Sequence, residues 1–372
     1  MTAAGSTLPP GAVLVHIGPH KTGSTAIQVA LDSAADRLAT HDVAYVTVGS
    51  YRPRKAGWAL GIRGRPAGTE RPPMKHWKRL VGEVAASRAA RVCVSNEDFG
   101  RATPRQAARV VEDLGGDRVH VVAVARRLDR YLPSQWQERV KAGDARGYDE
   151  WLRLVLDTDD PEPDWDRHNV WFSHDVRALA ERWVEVVGPD RFTMIVLDEA
   201  DRGQLPRTFD RMLGLPEGLV VPDNSRSNRG LSWAETELVR TTSAILAEAG
   251  WERPRRRRAI SPTVLRDMAG RPAPAGPKSP PVPDWAVARL RALSDQRVAD
   301  LALLAERGVH LVGDPELMRM PADVPVAPTG AAAPAALPPL EIEVAARALA
   351  SVLVASAARD LPPAEEGEGE AE

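Results

Sequence analysis

Residues 13–28 read VLVHIGPHKTGSTAIQ, and no other segment constrains the fold as much. An apolar, β-branched run leads into a turn of small and polar residues, and a helical pattern starts directly behind it. A strand that turns straight into a helix is half of a βα unit, which needs parallel partner strands and a covering layer of helices. In that geometry the backbone N–H groups of Gly23, Ser24 and Thr25 converge on one point, where the positive end of the helix dipole adds to the field. Phosphate or sulfate is the natural occupant. Lys21 lies in the turn, placed to neutralise charge that the amides only cradle. The alternative is a plain glycine turn in which Ser24 or Thr25 caps the helix. The two readings are compatible, because capping geometry is what directs the amides.

The remainder of the chain supports an α/β class with a mainly parallel sheet flanked by helices. Strand patterns fall at 13–18, 43–48, 91–95, 119–125 and 192–197. Helical patterns fall between them at 24–36, 75–88, 104–114, 128–141 and 175–187, and later at 232–249 and 283–307. Residues 51–73, rich in Gly, Pro and Arg, read as a long loop, and 157–174 as a lid or substrate loop. The proline-rich stretch 270–283 reads as an extended crossing. These patterns predict a flexible N-terminus over 1–12 and one domain over 13–315. An Ala/Pro-rich linker follows over 316–339, then a short amphipathic helix over 340–358, placed for partner contact or self-association, and a disordered acidic tail over 359–372.

Composition excludes several function classes. A formal net charge of −2 in 372 residues provides no field to select nucleic acid. The run Arg255–Arg258 reads as a solvated loop or a bridge to acidic surface. The single cysteine, Cys93, sits in the apolar run RVCVS and reads as a buried, inert thiol; it excludes a disulfide framework and a thiolate zinc site. The eight histidines lack metal-ligand spacing, so no metal is expected. There is no membrane-length apolar window and no secretory pattern at the start, which predicts a cytoplasmic protein.

The turn differs from a nucleotide P-loop in one respect. A Walker A loop places its lysine after the second glycine. Here Gly18 and Gly23 keep the glycine spacing, but Lys21 precedes Gly23 and Ser24 stands in the lysine position. The order K-T-G-S-T behind H-x-G resembles the 5′-phosphosulfate-binding loop of bacterial-type sulfotransferases. These enzymes use 3′-phosphoadenosine 5′-phosphosulfate (PAPS). The resemblance covers residues 13–312. It implies a P-loop NTPase-like fold and a phosphosulfate cradle of Lys21, Thr22, Gly23, Ser24 and Thr25. It implies PAPS as co-substrate and sulfuryl transfer to a hydroxyl or amine of a glycan, glycolipid or secondary metabolite.

Other segments acquire expected roles from that resemblance. In VVAVARRLDRYLPSQW, the strand-end Arg126 and Ser134 eight residues later match the family's 3′-phosphate element. Guanidinium groups hold phosphate in a bidentate manner and a hydroxyl adds a donor. In VCVSNEDF, Glu97 lies just past a strand end, where open parallel sheets bind ligands and where some of these enzymes carry their general base. A carboxylate base there needs a raised pKa. His20, in the phosphosulfate turn, is the rival base, and Asp98 a third candidate. Asn228 and Arg229, in SRSNRGLS, match a late cofactor-contacting segment. Two other readings stay open: a P-loop small-molecule kinase, and a non-catalytic nucleotide-binding protein.

Overall fold

The computed structural model describes residues 6–65, 69–156, 165–222, 229–260, 263–272 and 274–327, together with 344–345 and 348–349. The chain forms two compact units, one of Met1–Gln135, Asp149–Ser227 and Pro281–Gly330, the other of Trp136–Tyr148, Asn228–Pro280 and Ala331–Glu372. The second unit thus draws on two stretches, 136–148 and 228–280, of the single domain expected over 13–315.

In the first unit the strands are β1 (Val13–His16), β2 (Val43–Tyr45), β3 (Arg91–Ser95), β4 (Val119–Ala125), β5 (Phe192–Val196), β6 (Val282–Pro283), β7 (His310–Val312) and β8 (Val326–Ala327). Six of them build one parallel sheet in the order β2-β3-β1-β4-β5-β7. The short β6 and β8 pair separately. The helices of this unit are α1 (Ser24–Ser33), α2 (Ala35–Thr40), α3 (Arg54–Ala59), α4 (Lys75–Ala86), α5 (Pro104–Leu114), the start of α6 (Leu128–Lys141), α7 (Tyr148–Leu156), α8 (Trp165–His174), α9 (Val176–Val187) and α10 (Gln204–Leu213). The unit boundary falls inside α6. In the second unit lie α11 (Trp233–Glu248), α12 (Arg253–Ile260) and α13 (Thr263–Ala269), and the first unit resumes with α14 (Asp284–Glu306).

The period-two geometry of strands explains the continuous apolar runs, since both faces of the sheet are covered. Val13, Val15, Val92, Val94, Val121, Ala123 and Met194 face one layer, packed with Trp77 of α4, Val110 of α5, Trp183 of α9 and Leu301 of α14. Leu14, Cys93, Val122, Val124 and Ile195 face the other, packed with Ile27 and Leu31 of α1, Leu38 of α2, and Phe209 and Met212 of α10. Cys93 is buried and burial pushes its thiol pKa up, as expected of an inert group.

Several expectations need correction. Residues 6–12 are pinned rather than flexible: Leu8 is buried, its N–H donates to Met212 O, and its carbonyl accepts from Arg91 Nε. The first part of the expected linker, 316–327, is packed, because Met318 and Met320 bury their side chains and Val326 pairs with Val282. Residues 51–73 are not a plain loop but contain α3. The pattern at 24–36 splits into α1 and α2 at Ala34. Residues 165–174 form α8, and Arg255–Arg258 lie on α12, where Arg256 donates to Gly143 O and Arg253 pairs with Asp144. Residues 157–164 and 359–372, and nearly all of 340–358, lie outside the described residues. Among the described residues no helix is long and apolar enough to cross a membrane.

Gly18, which closes β1, has φ +81°, and a Cβ there would lie 2.8 Å from Glu97 Cα. Gly18→Ala is expected to cost about 2 kcal/mol or more, from left-handed backbone strain plus a backbone collision. Urea denaturation of the variant checks this.

Candidate functional site

Sheet order locates the site. β1 has β3 on one side and β4 on the other, so chain segments leaving the three carboxyl ends converge on one crevice. The ladder runs past β1: Ile17 N–H donates to Val122 O, Val124 N–H to Gly18 O, and Gly100 N–H to Ile17 O. The turn after β1 is thus held from both neighbouring strand ends.

Within this turn the backbone is unusual at two residues. Lys21 has φ +66° and Gly23, the N-cap of α1, has φ +95°. No side chain caps the helix. The capping role open to Ser24 or Thr25 is therefore unfilled, because the Thr22 and Ser24 hydroxyls both turn back to donate to Pro19 O, at 2.7 and 3.1 Å. The Ser24 and Thr25 N–H groups have no acceptor among the described residues. Gly23 and Thr25 are exposed while Thr22 and Ser24 are buried. The result is an open amide nest at a helix N-terminus, a geometry that suits an anion.

On the β4 side, Arg126 reaches the turn: its Nη1 donates to Lys21 O at 2.8 Å. Its Nε and Nη2 donate to both oxygens of the Glu199 carboxylate, at 2.5 and 3.0 Å. The guanidinium fork expected to meet a phosphate is thus shared with a protein acid. Burial raises the Glu199 pKa, but the Arg126 bond and charge outweigh it and hold the carboxyl below its ordinary value. Ser134 is half-buried on α6 and its hydroxyl has no partner among the described residues.

On the β3 side, the segment Asn96–Arg101 forms a 3-10 turn whose first amide is held by Asn96, the Oδ1 of which accepts from Asp98 N–H. Asp98 is fully buried and its two oxygens are surrounded. Oδ1 lies 2.8 Å from His20 Nε2 and 2.9 Å from Arg101 Nη1. Oδ2 accepts from Arg54 Nε at 3.0 Å and from the Trp58 indole N–H at 2.9 Å. Burial alone would raise the Asp98 pKa; His20, Arg54 and Arg101 overcome it and keep the group ionised far below the usual range. Gly64, at φ +127°, lies against it so closely that a Cβ would fall 2.0 Å from Oδ1.

Glu97 contradicts the expectation of a raised carboxylate. It is buried, one oxygen accepts from Gln28 Nε2 and the other from Arg52 Nη1, both at 2.6 Å. Burial pushes its pKa up, but His20, Arg52 and Arg54 bring it below the ordinary value. A carboxylate so saturated is a weak proton acceptor. His20 is different. It is 19% exposed, and its Nε2 lies 2.8 Å from Asp98 Oδ1 and 2.7 Å from Arg101 Nη1; with the proton on Nε2 it donates to Asp98, and Nδ1, which has no partner among the described residues, is left as the acceptor. Burial and then Arg101 lower its pKa from 6.5, leaving a neutral ring at neutral pH. The Asp98–His20 pair therefore has the form of an orienting acid and a base.

Asn228 lies outside the described residues. Arg229, in the second unit, has its guanidinium engaged by both oxygens of Glu235 and by the carbonyls of Met268, Pro272 and Arg271. Glu235 in turn forms a capping box with Ser232 at the start of α11. Reading from sequence also missed Arg52 and Arg54, for which the one available signal was the density of Arg in 51–73; Trp58 was noted there only as a face for stacking, not as a partner of Asp98.

No family model and no curated protein matches the chain. Among solved structures, the chain is similar to a sulfotransferase from Alicyclobacillus acidocaldarius, with TM-score 0.39 and 17% identity, over 58% of this chain and 85% of that one.

Asp98 ties four side chains together, so Asp98→Ala should cost about 3–5 kcal/mol, the range for a broken buried ion pair. Its folded pKa is depressed, so its contribution is present above the ordinary carboxylate range and is lost as pH falls through it and below. Urea midpoints should decline from pH 5 to pH 3, and decline less steeply in Asp98→Asn.

Proposed function

We propose that this chain is a PAPS-dependent sulfotransferase, moving a sulfuryl group to a hydroxyl or amine by in-line displacement. The observation that carries the reading is the amide nest of Gly23, Ser24 and Thr25. It stands between a strand-end arginine on one side and an oriented histidine on the other.

The residues present fit such a donor. The Ser24 and Thr25 amides, with Thr22 and Ser24 shaping the turn, receive the 5′-phosphosulfate. The Lys21 ammonium supplies positive charge where negative charge builds on the departing phosphate. Arg126 and Ser134 meet the 3′-phosphate, with Arg126 shared between that phosphate and Glu199. His20 takes the acceptor proton at Nδ1, and Asp98 stabilises the imidazolium that forms. Glu97 holds Arg52 and Gln28 in place rather than acting as the base. The donor itself supplies the activated sulfate. A P-loop kinase fits less well, since Ser24, not a lysine, follows Gly23.

Calorimetry with 3′-phosphoadenosine 5′-phosphate tests the donor site: binding is expected, and no uptake by folded protein would overturn the reading. Lys21→Ala should lower kcat by about 10²–10³-fold with the fold intact.

His20→Asn should lower kcat by about 10²–10⁴-fold, and Glu97→Gln by far less. The reverse order of effects would return the base to Glu97. Because only neutral His20 accepts a proton and its pKa is lowered, the acid limb of kcat/KM should fall below pH 6.5.

A further inference from the structure

We infer that the acceptor is an anion: its hydroxyl or amine is carried on a molecule that also bears a carboxylate, sulfate or phosphate. This rests on the sulfuryl-transfer reading and deepens it.

The sheet order separates donor from acceptor. Arg126 and Ser134 follow β4, on one side of the β1 turn; His20, Arg52, Arg54, Trp58 and Arg101 gather around the end of β3, on the other. If the nucleotide is gripped on the β4 side, the acceptor approaches over the β3 side, where His20 waits.

That side presents donors. Both carboxylates, Glu97 and Asp98, are buried and have each oxygen taken by a protein N–H or imidazole nitrogen. The arginines they hold reach the surface: Arg52 is 21% exposed and Arg54 is 27% exposed. Each is held by one edge. Arg52 Nε and Nη2, and Arg54 Nη1, have no acceptor among the described residues. Guanidinium groups donate and never accept. A pocket for a neutral sugar needs acceptors for the sugar hydroxyls, and the carboxylates here are spent. Among the described side chains bonded to the two carboxylates, the acceptors left are Gln28 Oε1, which is buried, and His20 Nδ1, which the proposed reaction reserves for the reacting hydroxyl. Three guanidinium groups against two carboxylates also leave positive charge that a neutral ligand would strand.

Flat surfaces accompany the charge. The Arg52 guanidinium lies 4.9 Å from the Tyr51 ring centroid and that of Arg54 4.8 Å from Trp58. Stacking holds the arginine planes rigid, so less order is lost when an anion binds. Arg65 is exposed in the same loop and adds to the field.

The test uses wild-type protein saturated with 3′-phosphoadenosine 5′-phosphate, so that the nucleotide sites are filled. Calorimetric titrations compare a galacturonate trimer with a galactose trimer, and glycerol phosphate with glycerol. At least one anion should bind about tenfold more tightly than its neutral twin, and the preference should shrink as salt rises from about 0.05 M to about 0.3 M. Arg52→Gln keeps a donor toward Glu97 and should weaken that anion about tenfold while nucleotide affinity stays unchanged, which also shows that the variant is folded. No preference for either anion, or a preference that Arg52→Gln leaves untouched, would overturn the inference. Failure of the nucleotide itself to bind would instead remove the donor reading.

Discussion

The buried carboxylate of Asp98 is the interaction on which the candidate site depends. An ionised acid without water is costly unless every lone pair is met. Here His20, Arg101, Arg54 and Trp58 meet them, from the β1 turn, the 3-10 turn and α3. One charge therefore joins three segments that sequence separates by up to 78 residues. It orients a histidine and holds two arginines. It also requires Gly64, because a side chain there would collide with the carboxylate.

The same economy shapes the β1 turn. Helix α1 leaves its first amides without a side-chain cap, and the hydroxyls that would cap it instead brace the turn at Pro19 O. A left-handed lysine is a small backbone cost, and such costs concentrate where a ligand is received. Arg126 secures the turn through the Lys21 carbonyl, so the arginine read as a phosphate ligand is also a brace. Its pairing with Glu199 offsets its charge.

Two expectations failed for one reason. Glu97 was read as a base with a raised pKa, on its place beyond a strand end. Residues 51–73 were read as a long loop, on their Gly, Pro and Arg content. The missing information was shared: α3 folds back and brings Arg52 and Arg54 onto Glu97 and Asp98. A carboxylate alone against an apolar wall would have its pKa raised; against two guanidinium groups it falls. No local pattern around VCVSNEDF announces partners more than forty residues upstream.

Local chemistry was sufficient for the βα unit at 13–33, the parallel α/β class, the strand ends carrying Arg126 and Glu97, and the buried thiol of Cys93. Those properties follow from side-chain period, turn residues and helix-start rules, which act over a few residues. The division of the chain into two units, the docking of 6–12 and 316–327, and the pairing of Glu97 with Arg52 and Gln28 were decided by tertiary structure. Each depends on which distant groups share a buried volume, and burial energies and charge pairing are set by that company, not by neighbours in the chain.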